Sequence, residues 1–210
     1  VFLGLLPSYM EQKNSSLIFM VDNFIKTSNH KESEFYLDNY NKLLSVLKKA
    51  SNKKKKIILF GVSYALLDFA EKYPIVIKDL IIIETGGMKG RKKEITRSEL
   101  HLKLNKGFGT KHIHSEYGMT ELFSQAYSLK NGKFQNPPWM KTLIRNINNP
   151  LMVSNSGKGA INIIDLANEH SCAFIATDDI GELFKNKSYT VSGRISESEI
   201  RGCNLMFNNN

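Results

Sequence analysis

The stretch His114-Ser115-Glu116-Tyr117-Gly118-Met119-Thr120-Glu121 sets an aromatic ring, a glycine, a hydroxyl and a carboxylate in a fixed order. Those residue types can bind a nucleotide. Tyr117 offers a ring face, Gly118 lets the backbone come close to a ligand, Thr120 can donate to a phosphate oxygen, and Glu121 can hold a hard cation such as Mg²⁺. A strand end followed by an ordinary helix start has the same wording.

Further stretches carry chemistry of the same kind. Gly86-Gly87 follows the apolar run Asp79 to Glu84, so its backbone can turn tightly and lie against a flat ring; a plain glycine turn is the alternative. Asp178-Asp179 closes the apolar run that begins at Ala173, and one of the two carboxylates can accept both hydroxyls of a ribose; the alternative is an acidic turn. Cys203 can supply a thiolate, a good nucleophile toward a mixed anhydride, with Arg201 nearby to favour the ionised form. A small buried hydrophobe is the commoner fate of a free cysteine. Cys172 reads as a core residue within a strand. His112 and His114 read as structural histidines flanking an apolar position, without metal-ligand company.

These residues need a scaffold. Ser16 to Val21 is an apolar run suited to a strand, and Leu37, Tyr40, Leu44 and Leu47 recur at helical spacing across Glu34 to Ala50. Ile57 to Gly61 reads as a buried strand, Ala65 to Tyr73 as a helix ended by Pro74, and Asp79 to Glu84 as another strand. Thr96 and Glu99 form a capping box for a helix reaching about Lys106 before Gly107. This alternation predicts a parallel sheet covered by helices. From Leu143 the pattern becomes short strands: Leu143 to Ile147, Ala160 to Leu166, Ala173 to Thr177, Glu182 to Phe184 and Tyr189 to Val191. The expected fold class is therefore α/β, a parallel sheet with helices plus a small β-rich subdomain. Its divisions are 1–142 for nucleotide and acyl binding, 143–193 for the β-rich part, and 194–210 for a hinge and tail.

The 210 residues carry 29 basic and 20 acidic side chains, a net charge of +9 that fits an anionic partner. No aromatics interleave with Lys53 to Lys56, which argues for a solvated connection and against nucleic acid. No apolar run approaches the ~20 residues that span a bilayer. Two cysteines without metal or secretory spacing point to a reduced, cytoplasmic protein. The opening Val1 to Leu6 reads as a core segment of a longer chain.

Tyr117 to Glu121 resembles the Tyr-Gly-x-Thr-Glu signature of adenylate-forming enzymes. Asp178-Asp179 followed by Gly193-Arg194 resembles their Thr-Gly-Asp and Gly-Arg-x-Asp signatures in the same order. The wording ETGGMKGRKKEITRSELH, HSEYGMTELFSQAYS, INIIDLANEHSCAFIATDDIGEL and SEIRGCNLM resembles the acyl-protein synthetase (LuxE type) branch over almost the whole chain. The resemblance implies a fragment of the adenylate-forming N-domain, the C-terminal two-thirds of the enzyme. It implies ATP-dependent, AMP-forming activation of a fatty or other carboxylic acid, then acyl transfer to a protein cysteine. Gly86 and Gly87 would flank adenine and Tyr117 would stack on it, with Gly118 and Met119 in the same loop. Thr120 would contact the α-phosphate, Glu121 would hold Mg²⁺, Asp179 would bind the ribose with Arg194 steadying it, and Cys203 would accept the acyl group. An acyl-accepting reductase or carrier protein is the implied partner. Alternatives are a ligase delivering to coenzyme A or a carrier, and a non-catalytic scaffold subunit. Ser196 replaces the acidic residue of Gly-Arg-x-Asp, and Asp178 the glycine of Thr-Gly-Asp. The Ser/Thr/Gly-rich loop that grips ATP phosphates is expected upstream of Val1, so this chain alone is expected to be inactive. Val62, Tyr64, Phe123 and Trp139 are candidates for the acyl pocket.

Overall fold

The computed structural model describes residues 1–7, 15–53, 55–88 and 95–195. They form two compact units, the first from Val1–Thr120 with Ser128–Gly132, the second from Glu121–Tyr127 with Lys133 onward.

The first unit alternates strand and helix: β1 (Phe2–Leu5), α1 (Ser16–Thr27), β2 (Glu34–Phe35), α2 (Tyr40–Asn52), β3 (Ile57–Val62), α3 (Ser63–Lys72), β4 (Leu80–Thr85), α4 (Arg97–Phe108) and β5 (His114–Tyr117). Its strands lie in the order β2-β1-β3-β4-β5 and pair in parallel. Parallel strands are sandwiched between helices, so β3 reads as an almost continuous buried run and Leu59, Phe60 and Val62 are fully shielded. The order reverses direction at β1. With right-handed crossovers, α1 covers one face and α2, α3 and α4 the other.

Several elements depart from the sequence reading. Ser16 to Val21 opens the helix α1, not a strand: Ser15 caps it by accepting from Ile18 N, and the apolar spacing continues through Phe24 and Ile25. A window stopping at Val21 sees only the apolar run. The helix expected from Glu34 begins at Tyr40, because Leu37 adopts φ +47° and Asn39 supplies the cap. Helix α4 starts as expected, with Thr96 Oγ1 accepting from Glu99 N, but passes through Gly107. A Cβ at Gly107 would stand 2.7 Å from Ala70 Cβ, so that glycine permits close packing of α3 on α4, and Gly109 at φ +60° ends the helix.

At the boundary between units lies β6 (Ala126–Ser128). The second unit contains β7 (Phe134–Gln135), β8 (Met140–Arg145), β9 (Val153–Ser154), β10 (Gly157–Asp165), β11 (Phe174–Leu183) and β12 (Tyr189–Arg194), in the antiparallel order β7-β12-β11-β10-β8-β9. The two short strands expected at Ala173 to Thr177 and Glu182 to Phe184 are one strand, β11, whose pairing with β12 shifts register between Ile180 and Gly181. The register shift breaks the alternation and hides the continuity. Cys172 is exposed in the turn before β11, its Sγ 3.1 Å from Phe174 O, and is not a core residue. Among the described residues no helix is long and apolar enough to cross a membrane.

Candidate functional site

In parallel α/β sheets, ligands meet the loops at the carboxyl ends of the strands. Two such loops stand side by side in the first unit. Strands β4 and β5 pair with Glu84 opposite Ser115, and two residues beyond this pair come Gly86 and Tyr117. Gly86 takes φ +66°, a conformation open to glycine at no cost, and both Gly86 and Gly87 are exposed. Tyr117 is 8% exposed, Gly118 and Thr120 face solvent and Met119 is half-buried. Thr120 and Glu121 form a turn, so no helix starts there.

Beneath these loops is a buried polar network that sequence reasoning missed. Glu84, 2% exposed, accepts from Ser63 Oγ at 2.9 Å and from Arg97 Nε at 3.3 Å, with His101 Nε2 at 3.3 Å. Ser115 Oγ lies 3.2 Å from the same His101 nitrogen. Ser63 Oγ is also 2.9 Å from Gly86 O, so it joins the carboxylate to the glycine turn. Burial alone would raise the Glu84 carboxyl. The His101 hydrogen bond and the Arg97 charge outweigh that and hold it below its ordinary value. On β5, Glu116 accepts from Thr85 Oγ1 of β4, and its carboxyl is pushed up to about 7 by burial and by the neighbouring Glu84 charge, against the pull of the Thr85 bond. Arg97 and His101, four residues apart on α4, were a legible signal, since that spacing places both on one helix face. His112 is exposed ahead of β5. Burial lowers the pKa of His114 within it.

In the second unit, Asp165 at the end of β10 is fully buried and accepts from Phe123 N at 3.0 Å, Ser124 N at 2.8 Å, Ser124 Oγ at 2.7 Å and Ala167 N at 3.1 Å. Asn168 Nδ2 donates to Glu121 O at 2.7 Å. Together they anchor the segment that presents the exposed Glu121. A lone carboxylate suits Mg²⁺ when nucleotide phosphates supply further oxygens; among the described residues no group of three or more His, Cys, Asp or Glu is placed to hold a metal. Asp179 and Arg194 face each other across β11 and β12, with Arg194 Nε 3.4 Å from Asp179 Oδ1. The Asp179 N–H donates to Thr177 Oγ1, which in turn donates to Ile161 O, so the register of three strands positions the carboxylate. Phe123 and Trp139 are exposed by 69% and 53%, whereas Val62 and Tyr64 are buried. Cys203 and Ser196 lie outside the described residues.

The structure thus brings Gly86 beside Tyr117, and Asp179 beside Arg194, each pair within one unit. No protein-family model matches the chain, and no curated protein matches it. Solved structures do. MatB from Rhodopseudomonas palustris with ATP bound aligns with a TM-score of 0.65 at 14% identity, over 92% of this chain and 40% of that one. A mutant form of coronafacic acid ligase from Pectobacterium brasiliense aligns at 0.60 and 16% identity, over 93% and 39%. The luciferase-like enzyme of the nonluminescent mealworm Zophobas morio aligns at 0.56 and 17%, over 92% and 49%. These neighbours are adenylate-forming enzymes, and the chain shares the fold of part of their length. It spans about 40% of the MatB chain.

Proposed function

We propose that the chain works in an ATP-dependent enzyme that activates a fatty or other carboxylic acid as its acyl-adenylate and passes the acyl group to the thiol of Cys203. The observation that carries the reading is the pairing of β4 with β5, which sets the Gly86 turn beside Tyr117 at one sheet edge, on a fold shared with adenylate-forming enzymes. In this reading Gly86, Gly87 and Tyr117 hold adenine, with Gly118 and Met119 shaping the same loop. Thr120 contacts the α-phosphate, and Asp179 accepts the ribose hydroxyls while Arg194 steadies it. Glu121 holds Mg²⁺, which neutralises phosphate charge when bound.

A carboxylate oxygen of the substrate attacks the α-phosphorus, forming the mixed anhydride as pyrophosphate leaves. The Cys203 thiolate then attacks the acyl carbonyl, forming a C–S bond as the anhydride C–O bond breaks and AMP leaves. The thioester can serve an acyl-accepting reductase or carrier protein, in a reduced cytoplasmic setting that preserves the thiol.

The second half-reaction needs no pyrophosphate site, so the test offers the 210-residue chain a preformed acyl-adenylate. Wild type and Cys172→Ser should release AMP and acquire an acyl group that survives denaturation and is cleaved by neutral hydroxylamine. Cys203→Ser should acquire none. A labile acyl group on Cys203→Ser, or its loss from Cys172→Ser, would contradict the assignment of Cys203. Transfer to coenzyme A without an acyl-enzyme would favour a ligase that delivers to that carrier.

A further inference from the structure

Because the strands of the first unit run parallel, every helix-to-strand connection returns to the amino edge of the sheet, opposite the Gly86 and Tyr117 loops. Each of these connections presents exposed lysine. Lys31 lies between α1 and β2, Lys53, Lys55 and Lys56 between α2 and β3, Lys78 between α3 and β4, and Lys111 between α4 and β5. Their acidic company is Glu32 and Asp79, and Glu32 already faces His30 at 2.9 Å and Lys49 at 3.2 Å. With six exposed lysines against two acidic residues, the edge is strongly positive.

We propose that this edge docks the protein on the surface of an anionic lipid bilayer. Clustered lysines are drawn to a negatively charged leaflet as diffuse point charges, without the fixed geometry that a single ligand would require. The composition disfavours the other polyanions. No arginine lies on these connections, although arginine's planar fork is the group that protein interfaces and phosphate-reading sites select. The one Phe, Tyr or Trp there, Tyr73, packs its ring against Phe69 and Tyr40 at centroid distances of 5.5 and 6.4 Å, so it offers no open stacking platform for nucleic-acid bases. Val76, 79% exposed beside Lys78, adds an aliphatic side chain that a headgroup layer accommodates. Docking by this edge leaves the carboxyl-edge loops open to solvent. The inference stands apart from the adenylation chemistry and survives its failure.

The test is co-sedimentation of the 210-residue chain with vesicles of phosphatidylcholine containing about one-third phosphatidylserine, against pure phosphatidylcholine, at low salt. Binding should require phosphatidylserine and be lost as salt rises. Lys53→Glu, Lys55→Glu and Lys56→Glu together should weaken partitioning by at least about a hundredfold, from roughly fivefold per lysine charge near the surface. The same three changed to arginine should retain it. Lys141→Glu, Lys158→Glu and Lys185→Glu, exposed positions of the second unit, alter net charge equally and should leave binding within about threefold. Thermal unfolding confirms that each variant is folded. Absence of binding to phosphatidylserine vesicles, equal loss from both glutamate triples, or tighter binding to polyglutamate or duplex DNA at matched ionic strength would overturn the proposal.

Discussion

Glu84 and Glu116 are both buried on neighbouring parallel strands, yet their surroundings push them in opposite directions. The stability that Glu84 contributes is present above the ordinary carboxylate range and is lost as pH falls through its depressed folded value. Glu116 works the other way. Between 4.5 and about 7 the folded chain holds a proton that the unfolded chain has released, so stability falls as pH rises through that window. Glu116→Gln should remove this decline and be more stable than wild type at pH 8 by about 3 kcal/mol, measured by urea unfolding at several pH values. An unchanged pH profile would show that Glu116 is ionised as usual. Glu84→Gln should cost roughly 2–4 kcal/mol at pH 7, since it leaves Arg97 and His101 facing a neutral amide. The order of residue types from Tyr117 to Glu121 can be read off the sequence because the residues are consecutive. The network beneath cannot, because Ser63, Glu84, His101 and Ser115 meet only when α3 and α4 pack on their strands.

At the scale of elements, the same contrast separates what periodicity reveals from what caps and register shifts conceal. The strands β3 and β4 were legible as uninterrupted apolar runs, and the start of α4 as a capping box. Helix α1 was not, because an apolar helix and a buried strand share their first six residues and only the Ser15 cap and the later spacing separate them. The continuity of β11 was hidden by its register shift against β12. Asp165 shows how much one unread carboxylate can organise. Asp165→Ala should cost about 3 kcal/mol or more in urea unfolding, because it removes a fully buried acceptor from the N–H groups of Phe123 and Ser124 and from the buried Ser124 hydroxyl. Gly86→Val should lose about 1–2 kcal/mol, because its φ of +66° is strained for a branched side chain. A smaller loss in either variant would show that the segment rearranges freely.

For the whole molecule, the α/β architecture with a β-rich second part was legible from the change in pattern, and the antiparallel pairing of that part is what the structure adds. Asp179 and Arg194 stand in the sequence as an ordered pair of motifs, and the structure adds a contact of 3.4 Å between the exposed Arg194 and the largely covered Asp179. Arg194→Ala should barely move stability, by about 0–1 kcal/mol, since the guanidinium end of the pair is exposed and screened by water. The chain spans about 40% of the MatB chain, so ATP and fatty acid together should turn over poorly on these residues alone. Whether these residues hold an acyl-adenylate is read from calorimetric binding of a non-hydrolysable acyl-sulfamoyl adenosine to the 210-residue chain. This ligand has no pyrophosphate and so needs no phosphate-gripping loop. It should bind more tightly than adenosine, with Asp179→Ala weakening it by about 10- to 100-fold, the worth of a charge-assisted hydrogen-bond pair, and Thr120→Ala by about tenfold. No binding, or binding that neither substitution alters, would contradict the account.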